Sequence, residues 1–549
     1  MGVVLIPQAM AYALLMGVPP IYGLYACLTP LLIYSIFGSS RLLSIGPVAV
    51  TAILVMSGVS KIAVPQTPEF IALTILCGLL VGVLQIILGV LRMGFLVNLI
   101  SQPVISGFIS AAAIIIIISQ LPEFLGFPIP KSEFVYENVV YALQNLMEVQ
   151  WIPFVICSGS IVLILLLKKW KKAFPGALLM LVIFTMISYI FKLEQYGLSI
   201  IKDVPGGLPV FEIPKLSYDS IIQLIPTVIT VTFIGYVGSI GIAKSLEMKS
   251  RDHTVLPNQE FFALGIAKVI GSFFQAIPSS GSYSRTAINE DAGGKSAISS
   301  LITALMVVVS LLFLTSYFYF IPKAVLAAII LVSVLNLINI REARYLLKVR
   351  RREFYIMLAT FFATLILGVE LGIFVGVLLS YIFLQYQSSR PHVAELVNIP
   401  NTDYYRNVNR FPEAKRSEIY VIIRFDDQLY FANTSYFKDT ILKMIHIRKT
   451  PPQFLILDAK NMHDIDSTGL HVLEDVLWYL EESKIQLLIS GAIGPVRDFL
   501  KRSGFTDVLG AEYYFMTISD AVMYTQNKLE YTHSFEAAAQ YNTKRSFLE

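Results

Sequence analysis

The polar stretch between Ser279 and Ser296 holds the residues best suited to bind a charged ligand. It reads SSGSYSRTAINEDAGGKS and contains one arginine, Arg285, among small and hydroxyl-bearing residues. Apolar runs flank it, and such a stretch between apolar runs is typical of a helix that breaks and restarts. We predict the restart near Ser284. The first turn of a helix offers free N–H groups and the positive end of the helix dipole, and both suit an anion.

Composition indicates that this stretch belongs to a membrane protein. Hydrophobic residues make up 55% of the 549 residues and charged residues 15%, with a mean hydropathy of +0.67, whereas a soluble domain keeps its charged residues near a quarter. A membrane span needs roughly 20 mostly apolar residues. The fold is therefore expected to be a polytopic helical one, surrounded by the lipid bilayer. Suitable runs are Phe70 to Val90, Ile152 to Leu167, Ala297 to Phe320 and Phe354 to Leu367.

An arginine at membrane depth has two explanations. Its insertion costs roughly 2.5 to 3.5 kcal/mol, which favours a functional role for Arg285 in anion binding. The alternative is a structural arginine that pairs with Glu290 or Asp291, or that reaches from a loop to the membrane surface. The residues alone leave both explanations open.

A second break occurs in the first half of the chain. The segment from Ser44 to Gly58 reads SIGPVAVTAILVMSG, with Gly46 and Pro47 directly before an apolar run of about ten residues. Proline is favoured at the first position of a helix, so we predict that a short helix begins at Pro47. Two interrupted segments, one in each half, indicate an inverted-repeat transporter with its site at the midplane of the membrane.

Basic residues predict the orientation of the spans. Positive charges concentrate on the cytoplasmic side of membrane proteins. The acidic loop from Leu121 to Gln150 is expected on the opposite side. The basic positions assigned to the cytoplasm are Arg41, Arg92, Lys168 to Lys172, Lys244 to Arg251 and Arg341 to Glu353.

Composition changes near Ser388, where the apolar runs end. Short strand patterns such as IYVIIRF and FLILDA then alternate with helical stretches, which predicts a soluble α/β domain. The expected division is a transmembrane domain over residues 1–387, a linker over 388–417, the α/β domain over 418–525 and a polar tail over 526–549.

Enzyme motifs find little support. The sequence AGGKS ends like a phosphate-binding loop, but that pattern requires a glycine at Asn289 and a preceding strand. The six histidines show no metal-ligand spacing. We therefore expect a protein that is not an enzyme, with no metal, no cofactor and no nucleic-acid partner.

Motifs along nearly the whole chain are similar to those of one family. In order they read PQAMAYA, GVPPIYGLY, FGSSR, SIGPVAV, QPVISGF, GIAKS, NQE and GSYSRTAINEDAGGK, followed near the end by NMHDIDSTGLHVLEDV. The series resembles the SulP family of anion transporters. The last motif resembles the signature of a STAS domain, the cytoplasmic module of these transporters.

The resemblance implies a homodimer of fourteen-segment subunits, each a seven-plus-seven inverted repeat that moves its anion by an elevator-like step. It places the anion between half-helices at the third and tenth segments, which begin here at Pro47 and Ser284. A capping role for Gln8 and a packing role for Tyr12 stay open as alternatives. The residues that the resemblance assigns to the site are Gln8, Tyr12, Pro47, Val48, Ala49, Ser284 and Arg285.

The chain departs from the family pattern at two points. Proton-coupled relatives carry a glutamate in the eighth helix where this chain has Gly238, so exchange or facilitated flux gains weight over proton symport. The first helix also begins later than in relatives, and we expect it to be truncated at its N-terminus. In the STAS-like domain, Ser467 or Thr468 is a candidate phosphorylation switch, with an unmodified helix-capping loop as the alternative.

The expected function is secondary transport of an inorganic anion, with sulfate first and bicarbonate or chloride next. An uncoupled anion channel and a membrane anion sensor that signals through the STAS domain to a cytoplasmic protein are the alternatives. The expected location is the cell (inner) membrane, with the STAS domain in the cytoplasm.

Overall fold

A computed structural model provides the structure, which describes residues 1–95, 100–130, 135–170, 175–202, 206–250, 254–335, 337–400, 402–411 and 413–528. The chain divides into two compact units, Met1–Ser380 and Tyr381–Glu549. Of the predicted polar tail, residues 529–549 lie outside the described residues.

Helices form nearly all of the first unit. Among the described residues, seven helical segments are long and apolar enough to cross a membrane, and four further apolar helices are shorter. The total of fourteen segments stays a prediction. In chain order the helices are α1 (Gly2–Leu15), α2 (Pro20–Tyr25), α3 (Thr29–Phe37), α4 (Ala49–Val59), α5 (Pro68–Val90), α6 (Gln102–Ser119), α7 (Leu121–Leu125), α8 (Val135–Gln144), α9 (Trp151–Trp170), α10 (Gly176–Phe191), α11 (Tyr218–Ser250), α12 (Pro257–Phe273), α13 (Tyr283–Asp291), α14 (Ile298–Phe313), α15 (Thr315–Phe318), α16 (Lys323–Leu335), α17 (Ile340–Val349), α18 (Arg351–Leu367) and α19 (Val369–Ser389).

Glycines allow α5 and α12 to pack closely. A Cβ added at Gly82 would lie 2.8 Å from the carbonyl oxygen of Gly265, and one added at Gly265 would lie 2.7 Å from that of Gly82. Small residues at facing positions let two membrane helices approach this closely, which increases their van der Waals contact. Any larger residue at either position would force the two backbones apart.

A buried carboxylate fastens α12 to α3. Glu260 is fully buried and accepts hydrogen bonds from the Tyr34 hydroxyl (2.8 Å) and from the backbone N–H (2.8 Å) and hydroxyl (2.7 Å) of Ser39. A buried charge is tolerated when donors surround it in this way.

The first unit also contains a two-stranded sheet that the all-helical expectation did not include. β1 (Ile45–Gly46) pairs antiparallel with β2 (Ser280–Gly281), so that Ile45 lies opposite Gly281 and Gly46 opposite Ser280. The pairing joins segments from the two halves of the unit.

The second unit is an α/β domain built on a mixed six-stranded sheet of order β4-β3-β5-β6-β7-β8. The strands from β5 to β8 are parallel, and β3 is antiparallel to both of its neighbours. Alternate strand residues supply two apolar clusters, one on each face. Its elements are β3 (Val393–Asn398), β4 (Tyr405–Asn407), β5 (Tyr420–Phe425), α20 (Thr434–His446), β6 (Phe454–Asp458), α21 (Ser467–Glu482), β7 (Gln486–Ser490), α22 (Gly494–Arg502), α23 (Phe505–Leu509) and β8 (Tyr514–Phe515).

The expected linker over 388–417 is wrong, because β3 and β4 lie within it. Ala394 and Leu396 of β3 are buried in the same apolar cluster as Ile422 of β5, and that burial holds the segment in the sheet. The α/β fold therefore begins earlier than residue 418.

Candidate anion-binding site

Two short helices begin at one small sheet. β1 leads into α4 and β2 leads into α13. The backbone N–H of Ser282 donates to the Ser44 carbonyl oxygen at 2.9 Å, which extends the sheet pairing to the residue before α13. Because the strands are antiparallel and paired, the first turns of the two helices are brought to the same region of the unit.

Two threonines reinforce this arrangement in a symmetric way. The Thr51 hydroxyl of α4 lies 3.0 Å from the hydroxyl of Ser280, which precedes α13. The Thr286 hydroxyl of α13 accepts the backbone N–H of Ser44, which precedes α4, at 3.0 Å. Each helix is thus fastened by its first turns to the strand that leads into the other.

A repeated sequence pattern corresponds to this symmetry, and the sequence analysis missed it. Gly46 is followed by four residues and then by Thr51 and Ala52, and Gly281 is followed by four residues and then by Thr286 and Ala287. Each copy spans only seven residues, of which three are identical, so the repeat is weak against the background of apolar sequence. It was nevertheless the available signal for the pairing.

The first turns of α4 and α13 leave backbone donors free of helical partners. Regular helical bonding starts with Ala52 N–H to the Val48 carbonyl (2.9 Å) in α4 and with Thr286 N–H to the Ser282 carbonyl (3.0 Å) in α13. The preceding N–H groups have no acceptor within their helix. They belong to Ala49, Val50 and Thr51 in α4 and to Tyr283, Ser284 and Arg285 in α13.

A cavity of about 1490 Å³ lies against these first turns. Its described lining contains three basic side chains, Arg92, Lys168 and Lys244, and no aspartate or glutamate. Lys244 pairs with Glu247, which lies outside the lining, at 2.7 Å. A cavity with one sign of charge and low-dielectric walls concentrates ions of the opposite sign. The arrangement therefore favours anions.

Five of the seven predicted site residues line this cavity. Gln8 and Tyr12 reach it from α1, and both are almost fully buried. The side-chain oxygen of Gln8 has no hydrogen-bond partner among the described residues, so the structure offers no capping partner for it. Val48 and Ala49 line the cavity at the start of α4, and Ser284 lines it at the start of α13.

Arg285 takes a different position from the one expected. Its side chain is 0% exposed and is not part of the cavity lining. The guanidinium lies against the segment that leads into α4, where Nη1 donates to the Pro47 carbonyl at 2.9 Å and Nε approaches the Ser44 hydroxyl at 3.4 Å. Nη2 is buried and has no partner among the described residues. A Cβ at Gly46 would lie 3.1 Å from Nη2, so this glycine lets the backbone pass close to the charge.

The starts of both helices also differ from the prediction. Pro47 does not begin α4, because pairing of Gly46 in the sheet keeps the chain extended through Val48, which is the N-cap. Pro47 is absent from the cavity lining and instead presents its carbonyl oxygen to Arg285. In the second half α13 begins at Tyr283, with Ser282 as its N-cap, one residue before the predicted start.

Gly238 lies in the wall that α11 contributes. Gly235, Gly238 and Gly241 all line the cavity. A Cβ added at Gly238 or Gly241 would meet nothing within 4 Å, whereas one at Gly235 would meet the Ser280 hydroxyl at 2.7 Å. Position 238 therefore has room for a side chain.

In the α/β unit, Ser467 and Thr468 are exposed in the first turn of α21. The N-cap of this helix is Asp466, whose carboxylate accepts the N–H groups of Gly469 (2.7 Å) and Phe431 (3.0 Å). The helix starts at Ser467. Phosphorylation of either residue stays a prediction.

Sequence comparison identifies both units. The model of the sulfate permease family matches residues 1–360, and that of the STAS domain matches residues 411–521. Sulfate transporter 4.1, chloroplastic, of Arabidopsis thaliana is 39% identical over 550 residues, covering 97% of this chain and 79% of the relative. A probable sulfate transporter of Mycobacterium tuberculosis is 31% identical over 518 residues, covering 94% and 92%.

Solved structures show the same fold. The murine Solute Carrier 26 family member A9 anion transporter, in the inward-facing state, superposes with a TM-score of 0.89 at 26% identity, over 96% of this chain and 90% of that one. The transmembrane domain of a cyanobacterium bicarbonate transporter gives a TM-score of 0.59 at 24% identity, over 69% and 94%. The chain belongs to the sulfate permease family, and its second unit is a STAS domain.

Proposed function

We propose that the protein is a secondary transporter that moves inorganic anions across its membrane, with sulfate as the first substrate to test. The observation that carries this proposal is the meeting of two helix N-termini at a cavity whose described lining is basic and contains no acid. The names of the relatives agree with it, because they are called sulfate transporters, an anion transporter and a bicarbonate transporter.

The anion is held between the first turns of α4 and α13. Free N–H groups of Ala49 and Ser284 and the hydroxyl of Ser284 face it, with Gln8 and Tyr12 completing the opposite wall. The buried guanidinium of Arg285 adds positive charge from its position against the segment that leads into α4. An oxyanion accepts several N–H donors at once, and helix N-termini supply them already oriented.

Alternating access by an elevator-like step is part of the proposal. One group of helices includes α4 and α11, which line the cavity: α5 packs with α12, α3 with α12, and α4 and α5 with α11. A second group forms around α6 with α18 and α9 with α16. The cavity is lined from both groups, by Gly238 of α11 on one side and by Ile105 of α6 and Lys168 of α9 on the other. Sliding of one group against the other would carry the anion.

The basic residues of the cavity also support an orientation of the protein in the membrane. Arg92, Lys168 and Lys244, which the positive charge rule assigns to the cytoplasm, line the cavity, and this supports a cavity open to the cytoplasm. We propose a homodimer in the cell (inner) membrane, with the STAS domain in the cytoplasm facing a protein partner. Light scattering of the detergent-solubilised protein would test the dimer.

The test is radiolabelled sulfate uptake into proteoliposomes of the purified chain. The vesicles contain sulfate, bicarbonate, chloride or no exchangeable anion, and the assay is repeated with an imposed proton gradient. Saturable sulfate uptake is the expected result. Acceleration by an internal anion would indicate exchange, and acceleration by the proton gradient would indicate coupling to protons.

Two results would contradict the proposal. Non-saturating current that follows the voltage would mean a channel. Sulfate binding without flux of any of the three anions would mean a sensor.

A further inference from the structure

Lys268 is a buried basic residue that the proposed binding site does not use. It lies near the middle of α12 and is 4% exposed. Its Nζ donates to the side-chain oxygen of Gln85 on α5 at 2.9 Å and approaches the Leu264 carbonyl oxygen at 3.4 Å. Both partners are neutral, and no carboxylate of the described residues pairs with it.

A positive charge on Lys268 in this pocket carries a large desolvation free energy. Removing an ammonium group from water costs several kcal/mol even after the surroundings relax, unless a counter-charge is present. The two oxygens around Nζ can accept a hydrogen bond from an ammonium, which is the stronger donor, or from a neutral amine. The pocket therefore accommodates Lys268 in either protonation state.

The neighbouring titratable groups do not supply the missing negative charge. α12 packs against α3, α5 and α11. The Glu260 carboxylate on α12 accepts hydrogen bonds from Tyr34 of α3 and from Ser39, and the Tyr236 hydroxyl of α11 donates to a backbone carbonyl. Among the side chains that the structure describes on these helices, the remaining buried titratable group is the Cys77 thiol of α5. Asp219 lies toward the start of α11, and Glu247 lies toward its end, where it pairs with Lys244 at 2.7 Å.

A chain of contacts connects Lys268 with the wall of the cavity. The amide nitrogen of Gln85 approaches the Thr232 carbonyl of α11 at 3.4 Å. The next turn of α11 lines the cavity at Gly235, and the Ser239 hydroxyl accepts the backbone N–H of Gly281 in β2 at 2.8 Å. Lys268 thus belongs to the same packed group of helices as the strand that leads into α13.

We propose that Lys268 takes up a proton when the anion binds and carries it across the membrane together with the anion. This inference rests on the proposed transport function. A bound anion supplies the negative charge that the pocket lacks, so it stabilises the ammonium form of Lys268. By reciprocity, protonation of Lys268 strengthens anion binding. The proton comes from water on the side where the anion enters and returns to water where the anion leaves.

Under this assignment, anion transport is coupled to protons through Lys268, and no acid at position 238 is needed. The Lys268 side chain is positively charged when the anion is bound and neutral when the site is empty, so the anion and the proton bind together. The apparent affinity for sulfate then rises as the pH falls, because protonated Lys268 is the form that favours the anion.

The experiment compares three proteins in proteoliposomes that contain a trapped pH-sensitive dye. Lys268→Met is permanently neutral and Lys268→Arg is permanently charged. The wild type should move protons with sulfate and should bind sulfate several-fold more tightly at mildly acidic than at mildly alkaline pH. Both variants should transport sulfate without proton movement and with an affinity that does not change with pH, weaker in the Met variant than in the Arg variant. Lys295→Met, which removes an exposed lysine, is the matched control.

The outcomes separate this inference from the transport function. Proton movement of wild-type size in both variants would overturn the role of Lys268, and so would wild-type sulfate uptake that moves no protons. If the Met variant does not fold, the Arg variant decides alone. Absence of sulfate, bicarbonate and chloride flux in the wild type would contradict the transport function itself.

Discussion

In the proposed site, Arg285 acts through the backbone. Its guanidinium donates to the carbonyl oxygen of Pro47, directly before the N-cap of α4, is fully buried and does not line the cavity. In the proposed site, this charge therefore acts on the anion as a field, while the atoms proposed to touch the anion are N–H groups and hydroxyls. This arrangement excludes the pairing of Arg285 with Asp291 or Glu290 as its main role, because its described hydrogen bonds go to Ser44 and Pro47.

Replacement of Arg285 by alanine should weaken sulfate binding about ten- to a hundredfold. A hydrogen bond from a charged group contributes about 1.5 to 3 kcal/mol, and its loss also frees the segment before α4. Binding is measured by radioligand displacement on monodisperse protein. Lys295→Ala removes an exposed positive charge from the same segment and should leave binding unchanged. Unaltered affinity in the Arg285 variant would exclude the electrostatic role.

A carboxylate at position 238 should make sulfate affinity depend on pH. The added side chain has room and would enter a cavity without acids, where its ionised form repels an anion. For Gly238→Glu we expect the KM for sulfate to rise several-fold with increasing pH, beyond any change in the wild type. Gly238→Gln has the same size without the charge and should follow the wild-type profile. Parallel profiles for both variants would place position 238 away from the anion.

At the scale of elements, the site depends on two strands of two residues each. The breaks near Pro47 and Ser284 were predictable, since glycine, proline and serine between apolar runs interrupt helices. The strand pairing was not, because so short a strand has no periodicity and its partner lies in the other half of the chain. The direction of the Arg285 side chain follows from that pairing, so it could not be predicted either. Lys268 lies in the apolar run GIAKVIGSFF. Its burial between helices could not be predicted, because it depends on how several helices pack and the sequence pattern of a single helix does not show that.

Loss of either threonine contact should impair both helices. Thr51→Val leaves the Ser280 hydroxyl without its partner, and Thr286→Val leaves the Ser44 N–H without its acceptor. Each buried unpaired group costs about 1 to 3 kcal/mol. We expect each variant to have a lower melting temperature and a sulfate affinity that is weaker by several-fold. The double variant should lose less stability than the sum of the two single losses, because both contacts stabilise one strand pair. Thr230→Val, whose hydroxyl bonds within its own helix, is the control. Strict additivity would argue against a shared element.

At the scale of the whole molecule, the two units have separate hydrophobic cores. In the STAS domain, the carboxyl group of Asp458 is buried, which disfavours its ionised form. Burial raises the pKa of Asp458 at the end of β6, although the Lys460 N–H at 3.2 Å and the charge of Arg424 counteract it. A raised folded-state pKa stabilises the domain at acidic pH, and this contribution is lost as the pH rises through that pKa.

Asp458→Asn should therefore stabilise the STAS domain at neutral pH. Asparagine keeps an oxygen for the Lys460 N–H and never ionises. Hydrogen exchange of the full-length protein should slow in β6 and β7 at neutral pH, while the difference from the wild type disappears near pH 4. Exchange in α4 and α13 should stay the same, because those helices lie in the other unit. Slower exchange in both units, or a difference that persists in acid, would contradict this account.

The strand pair has a consequence for how the protein is made. Arg285 and its partner Pro47 are 238 residues apart in the chain. A ribosome adds about 5–20 residues per second, so the segment around Pro47 waits on the order of ten seconds or longer before its counterpart exists. During that interval the first half has already entered the bilayer with unpaired backbone groups at its break, which lipid cannot satisfy. Biogenesis therefore requires that the insertion machinery or trapped water shelter this segment until the second half arrives.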